Sequence, residues 1–198
     1  MRQLRIVLWV VVAIALIAFA LLFLNSSRDR AAPQQPVAAP SFGGPFTLVG
    51  ADGRPFGSDE LKGKPYALFF GFTHCPDTCP TTLARLVRLR REAGGDSAFN
   101  IVFVTVDPER DGPKEMASYS DAFGAPVIGL TGSPAQIAQV KKQFGIYSEK
   151  VPGKDGDYTV DHTATVLLFD REGKFVATVA TDEQDAPALA KLKRITAA

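Results

Sequence analysis

The sequence predicts an α/β domain, a sheet with helices on both faces, preceded by an N-terminal transmembrane helix. Three observations lead to this prediction. The 198-residue chain contains a run of 19 consecutive apolar residues, Ile6 to Leu24, and a proline-rich segment follows it. Beyond that segment, buried-strand patterns alternate with amphipathic-helix patterns. We therefore expect a membrane anchor at residues 1–28, a linker at 29–45 and one folded domain at 46–198.

The apolar run has the length of a membrane span. At about 1.5 Å per residue it would extend close to 30 Å, the thickness of the hydrocarbon layer. Lys and Arg are balanced on its two sides, and the free amino terminus favours an orientation with the N-terminus inside. A cleaved signal peptide is the alternative, but its apolar region is usually only about 7–15 residues. We expect an uncleaved, single-pass anchor.

Composition excludes several classes of function. The chain carries 22 basic and 21 acidic residues, so it lacks the basic surface of a nucleic-acid-binding protein. A hydrophobic content of 46% excludes a disordered protein. Two cysteines cannot form a disulfide scaffold or a four-cysteine zinc site. The segment from Ala31 to Pro45 holds four prolines, and we interpret it as an extended linker or a plain spacer.

The elements of the folded domain follow one another along the chain. Asp52-Gly53 lies between two short strand patterns and predicts a hairpin. Ser133 and Pro134 predict a helix start, and Gly145 predicts the end of that helix. Apolar runs predict strands at 66–72, 101–106, 127–130, 165–169 and 175–179, and helical spacing predicts helices at 81–92, 113–123, 134–144 and 184–195.

The segment Cys75-Pro-Asp-Thr-Cys79-Pro80 is the first candidate for chemistry. It follows the first buried strand and precedes the first long helix, which is the thioredoxin-type position for a dithiol. The positive end of a helix dipole favours thiolates there. The spacing also allows a disulfide between the two cysteines in an oxidising compartment. A purely structural disulfide is the alternative.

His162 is the second candidate. It lies just before the strand predicted at 165–169, in the segment that faces the dithiol in a thioredoxin-like sheet, where thioredoxins carry a cis-proline. Two thiolates and one imidazole favour Cu(I), whereas Zn²⁺ would require a fourth ligand and is not excluded. Asp77 and Asp161 are candidates for steering the metal or orienting His162. Because a disulfide would occupy the same sulfurs, metal loading requires prior reduction.

Three blocks of the sequence resemble the Sco/SenC family. The first runs from Gly71 to Pro80 and the second from Val104 to Asp111. The third consists of Phe144 to Tyr147, Asp157 to His162 and Leu167 to Asp170. The resemblance implies a thioredoxin-like copper protein that helps to assemble the CuA site of cytochrome c oxidase. It carries the copper ligands over onto Cys75, Cys79 and His162. It implies a protein anchored in the bacterial or the mitochondrial inner membrane. Because five residues before Ile6 leave no room for a transit peptide, we expect the bacterial inner membrane, with the domain on the periplasmic side. The expected partners are a copper-accepting oxidase subunit and a thiol reductant.

The residues leave alternatives open. The same dithiol suits a thiol–disulfide reductase, an enzyme that keeps partner cysteines reduced. We expect a metallochaperone with accessory thiol–disulfide oxidoreductase activity, but the sequence does not separate metal delivery from disulfide reduction as the main role. A copper or redox sensor that signals by docking is a further possibility. The oxidation state in use, Cu(I) or Cu(II), stays open as well.

Overall fold

The computed structural model describes residues 42–153 and 156–197, together with Trp9, Leu16 and Phe19, which are helical and exposed. The rest of the predicted anchor, and the linker up to residue 41, lie outside the described residues. Within the part of the chain that is described, no helix is long and apolar enough to cross a bilayer. The transmembrane anchor therefore stays a prediction. The fold presented below is that of the C-terminal unit, which begins at Pro40.

The described residues of this unit form nine strands, four α-helices and one short 3-10 helix. The strands are β1 Thr47–Gly50, β2 Pro55–Gly57, β3 Tyr66–Gly71, β4 Asn100–Thr105, β5 Ile128–Thr131, β6 Ser148–Pro152, β7 Tyr158–His162, β8 Val166–Phe169 and β9 Phe175–Val179. The helices are α1 Thr78–Gly94, α2 Pro113–Asp121, α3 Pro134–Gln143 and α4 Asp185–Ala197, and the 3-10 helix is Ser58–Leu61.

Seven strands form one mixed sheet in the order β2-β1-β5-β4-β3-β8-β9. Strands β3, β4 and β5 are parallel, and the strands on either side of them run antiparallel to their neighbours. All six residues of β3 are buried, as expected for a strand in a sheet covered on both faces. Strands β6 and β7 form a separate two-stranded hairpin.

Helices cover both faces of the large sheet, as predicted. A side chain at Gly71 would touch the sulfur of Cys79, so α1 lies directly over the end of β3. A side chain at Gly129 would meet the hydroxyl of Ser120 in α2. Gly71 and Gly129 pair with residues that are two positions apart on β4, so both point to the same face of the sheet. Helix α2 therefore lies on the same face as α1. Phe70 points to the opposite face and packs on Phe144 at the end of α3, with 5.8 Å between ring centroids.

The predicted elements of the folded domain are confirmed, with boundaries that move by three residues or fewer. Ser133 caps α3: its hydroxyl accepts a hydrogen bond from the backbone N–H of Gln136. The sequence did not predict the β6–β7 hairpin. Strand β6 has no buried residue and no apolar alternation, and in β7 only Val160 is buried, so the apolar pattern is too short to mark a hairpin. His162, expected in a loop, is the last residue of β7.

Gly71 provides a test of the contact between α1 and the sheet. A methyl group at this position would lie 2.7 Å from the Cys79 sulfur and 2.8 Å from the Phe103 ring. Gly71→Ala should lower the free energy of unfolding by about 1–3 kcal/mol, because both neighbours are packed and cannot move aside freely. Chemical denaturation measures this effect.

Gly112→Ala is the matched control for that substitution. Its methyl group would meet only the movable carboxylate of exposed Glu115. The cost should stay below about 1 kcal/mol, the scale of a changed N-cap residue. Equal losses of stability in the two variants would contradict close packing of Cys79 on β3.

Candidate metal centre

The two cysteines lie at the N-terminus of α1. The chain turns after β3, where the backbone N–H of Cys75 donates to the carbonyl of Phe72 at 3.3 Å. Cys79 is the second residue of α1, and its backbone N–H donates to the sulfur of Cys75 at 3.3 Å. A helix leaves its first N–H groups without partners inside the helix. The Cys75 sulfur accepts a hydrogen bond from one of them. Both cysteines are free thiols.

His162 approaches the dithiol from the β6–β7 hairpin. Its Nε2 lies 3.6 Å from the sulfur of Cys79. The ring packs edge-on against Phe72, at 5.7 Å between centroids, and near Phe69 at 6.5 Å. Metal bonds of about 2.3 Å to sulfur and about 2.1 Å to nitrogen, meeting at about 110°, place their donor atoms about 3.6 Å apart. The separation is that of a thiol–imidazole hydrogen bond, and it also matches two ligands on one tetrahedral ion.

The structure does not bring every predicted residue together. Within residues 42–153 and 156–197, no three His, Cys, Asp or Glu side chains stand close enough to hold a metal ion as they are. Asp77 is the N-cap of α1, and its carboxylate accepts a hydrogen bond from the Thr81 hydroxyl at 3.2 Å. Asp161 is exposed, opposite Glu149 in the hairpin. Their supporting role at the metal stays a prediction.

Burial sets the protonation of the pair. Desolvation raises the pKa of the Cys79 thiol, and the nearby charges of Cys75 and Asp111 act in the same direction. Desolvation lowers the pKa of His162, an effect that the charge of Asp161 partly offsets. At neutral pH, therefore, Cys79 is a thiol and His162 is a neutral imidazole. A neutral imidazole is the form that binds metals, while the thiol must lose its proton to do so.

Asp111 supports the dithiol loop, and sequence analysis assigned it no role. Its carboxylate is fully buried and accepts hydrogen bonds from the backbone N–H of Thr73 at 2.9 Å and from two hydroxyls, those of Thr73 and Thr105, both at 2.6 Å. It thereby ties the segment just before Cys75 to the end of β4. His74 is 54% exposed, and its Nδ1 lies 3.1 Å from the Thr73 hydroxyl. In the sequence, the one feature that could have drawn attention to Asp111 is that it is an acidic residue just beyond a buried strand.

This arrangement suits two kinds of chemistry. Two sulfurs and one imidazole are a donor set for a soft ion such as Cu(I). Two thiols at a helix N-terminus also suit thiol–disulfide exchange. The described residues contain no cis peptide bond, and the segment before β8 has His162 near the dithiol where a thioredoxin has its cis-proline.

The family model described as SCO1/SenC matches residues 34–197. The chain belongs to the SCO1/SenC family. It is 39% identical over 154 residues to "Protein SCO1 homolog 1, mitochondrial" of Arabidopsis thaliana, covering 77% of this chain and 46% of that protein. It is 36% identical over 179 residues to the "SCO2-like protein" of Rickettsia felis, covering 84% of this chain and 85% of that protein.

Solved structures of family members share the fold. Bradyrhizobium japonicum ScoI with copper bound is 46% identical, with a TM-score of 0.71, and the match covers 78% of this chain and 99% of that one. Yeast Sco1 with copper bound is 31% identical, with a TM-score of 0.70, covering 78% of this chain and 87% of that one. The chain spans about half the length of the Arabidopsis and fission-yeast relatives that it matches.

The two thiols should differ in reactivity. Cys79 is 0% exposed and burial raises its pKa, so little of it is thiolate at neutral pH, and the thiolate is the nucleophile. Cys75 is partly exposed and accepts a helix N–H. In the reduced chain at pH 7.5, iodoacetamide should modify Cys75 at least about tenfold faster than Cys79. Mass spectrometry of timed peptide digests measures both rates.

The same reaction in denaturant is the control for thiol accessibility. Unfolding exposes both sulfurs and removes the helix, so the two rates should converge there. Equal rates in the folded chain, or faster modification of Cys79, would contradict the asymmetry of the site.

Proposed function

We propose that this chain is a membrane-tethered copper metallochaperone. It binds copper, as Cu(I), through Cys75, Cys79 and His162, and delivers it to the CuA site of cytochrome c oxidase during assembly. The observation that carries the proposal is the 3.6 Å separation between the Cys79 sulfur and the His162 Nε2, with Cys75 linked to the same helix turn. Membership of the SCO1/SenC family and relatives described as copper-bound support it.

The donor set favours Cu(I) as the cargo. Cu(I) accepts three ligands and prefers soft sulfur donors, whereas Zn²⁺ would require a fourth ligand. Two thiolates and Cu(I) together carry a net charge of −1, which the N-terminus of α1 stabilises. His162 supplies a neutral third donor, because burial lowers its pKa. The chain has two histidines, so His74 is the alternative source of an imidazole ligand.

Release of the copper ion depends on the unequal solvent exposure of its three ligands. Cys79 is buried, while Cys75 and His162 are partly exposed. A sulfur of the copper-accepting oxidase subunit would displace an exposed ligand first, so that the ion passes between proteins by stepwise ligand exchange. Cys79, at the base of the site, would then be the last ligand to leave.

The proposed setting is the periplasmic face of the bacterial inner membrane, with residues 1–28 as a single-pass anchor. An oxidising compartment allows Cys75 and Cys79 to form a disulfide, which blocks metal binding. A thiol reductant is therefore a required partner, and reduction precedes loading. This redox step is the link between metal delivery and any accessory reductase activity.

A thiol–disulfide reductase is the second candidate function. The observation that favours it is the hydrogen bond from the helix N–H of Cys79 to the Cys75 sulfur, which suits Cys75 as the attacking thiolate. In that case Cys79 would resolve the mixed disulfide. His162 has no necessary part in this chemistry, and it therefore separates the two functions.

His162→Ala should abolish tight Cu(I) binding and leave the dithiol redox couple intact. Loss of one of three ligands should lower Cu(I) affinity by at least about 100-fold, beyond the effect of losing an outer-shell partner. Competition with a chromophoric Cu(I) chelator measures the affinity, and redox titration with glutathione measures the couple.

His74→Ala is the matched control, because it removes the other histidine. Its ring faces Thr73 and Asp111, so Cu(I) affinity should remain within about threefold of wild type, less than the loss of an outer-shell partner. Wild-type copper binding in His162→Ala, together with loss of disulfide exchange in Cys75→Ser, would favour the reductase instead.

A further inference from the structure

The hairpin that carries His162 needs an anchor outside itself. Strands β6 and β7 pair only with each other among the described strands, and β6 has no buried residue. Tyr158, Val160 and His162 alternate along β7 and therefore share one face. Val160 is buried on that face. Lys141 holds Ser148, the residue that pairs with His162. The remaining freedom of β7 is set by what holds the other end of the same face, at Tyr158.

Arg110 holds that end. Its guanidinium carbon lies 3.7 Å from the centre of the Tyr158 ring, in a stacked cation–π contact. Its Nη1 donates to the carbonyl of Tyr158 at 2.9 Å and to the carboxylate of Asp157 at 3.2 Å. Its Nε donates to the carboxylate of Asp107 at 2.5 Å. One side chain therefore binds both the start of β7 and the loop that follows β4.

Asp107 fixes Arg110 in turn. Its side chain is fully buried, and its second carboxylate oxygen accepts a hydrogen bond from the Tyr158 hydroxyl at 2.9 Å. Its backbone N–H donates to the Thr105 hydroxyl at 2.9 Å. That hydroxyl donates to Asp111, the residue that holds Thr73 beside the dithiol. A continuous polar network thus joins the dithiol loop to β7.

We propose that Arg110 is a positioning residue for the metal centre, which fixes β7 so that the His162 ring meets the Cys79 sulfur. This inference rests on the proposed copper-binding function and adds a residue through which the third ligand is placed. A lysine at this position keeps the charge but loses the planar fork that binds Asp107 and Tyr158 together. Arg110→Lys should therefore weaken Cu(I) binding by about tenfold, the usual scale for outer-shell partners.

A double-mutant cycle tests this inference. In the wild-type background Arg110→Lys should weaken Cu(I) affinity about tenfold, but in the His162→Ala background by less than about twofold, because the ligand it positions is gone. Chelator competition on all four full-length proteins gives the coupling. Effects that simply add would overturn the proposal, because they would show that Arg110 acts independently of His162.

Arg85→Lys is the matched control for general stability. Arg85 is 16% exposed against 18% for Arg110, and it ties α1 to Asp185 and to the carbonyl of Ala180. This variant should lower the melting temperature as Arg110→Lys does, but leave Cu(I) affinity unchanged in both backgrounds. An equal loss of affinity in Arg85→Lys would overturn the proposal in favour of a merely structural role.

Amide hydrogen exchange in the metal-free protein provides a readout that is independent of copper. Arg110→Lys should accelerate exchange at Tyr158–His162 at least about tenfold more than Arg85→Lys, because only the former releases β7. If wild type binds no Cu(I), the proposed function fails while this experiment still tests the positioning. Unchanged exchange would overturn it. Should Arg110→Lys fail to fold, Tyr158→Phe, which removes only the hydroxyl bond to Asp107, takes its place throughout.

Discussion

The contact between the Cys79 sulfur and the His162 Nε2 joins groups that are 83 residues apart in the chain. The contact forms because two separate parts of the fold meet at this point. Strand β3 and helix α1 place the sulfur, with Gly71 leaving just enough room beneath it. The β6–β7 hairpin places the ring, outside the main sheet. The candidate metal centre therefore depends on the tertiary fold, and each half has its own support.

Those supports come from one short loop between β4 and α2. Asp111 binds the segment before the dithiol, and Asp107 binds the start of β7 through Arg110 and Tyr158. Both carboxylates are fully buried, where an unsatisfied acceptor would be costly, so each is held by several donors. A buried network of this kind restricts both halves of the site at once. Cys75 lies outside this network and is partly exposed.

Much of the fold follows from the sequence, for identifiable reasons. The apolar run at 66–72 and the Ser133-Pro134 cap each have a local cause, burial on both faces of a sheet or satisfaction of a helix terminus, and the structure confirms both. The dithiol position follows from its place between strand and helix. The β6–β7 hairpin did not follow, because its strands are mostly exposed and have little apolar pattern. The role of Asp111 did not follow, because its partner Thr73 is distant in sequence and no periodicity records such a contact. The anchor at residues 1–28 stays a prediction.

In the proposed site, one ion binds Cys75, Cys79 and His162 together. X-ray absorption at the copper edge, recorded on the reduced full-length chain loaded with one equivalent of Cu(I), identifies the atoms bound to that ion. We expect two sulfur ligands and one imidazole nitrogen in the first coordination shell. A shell with a single sulfur, or with two sulfurs and no imidazole, would show that the three residues do not form one site.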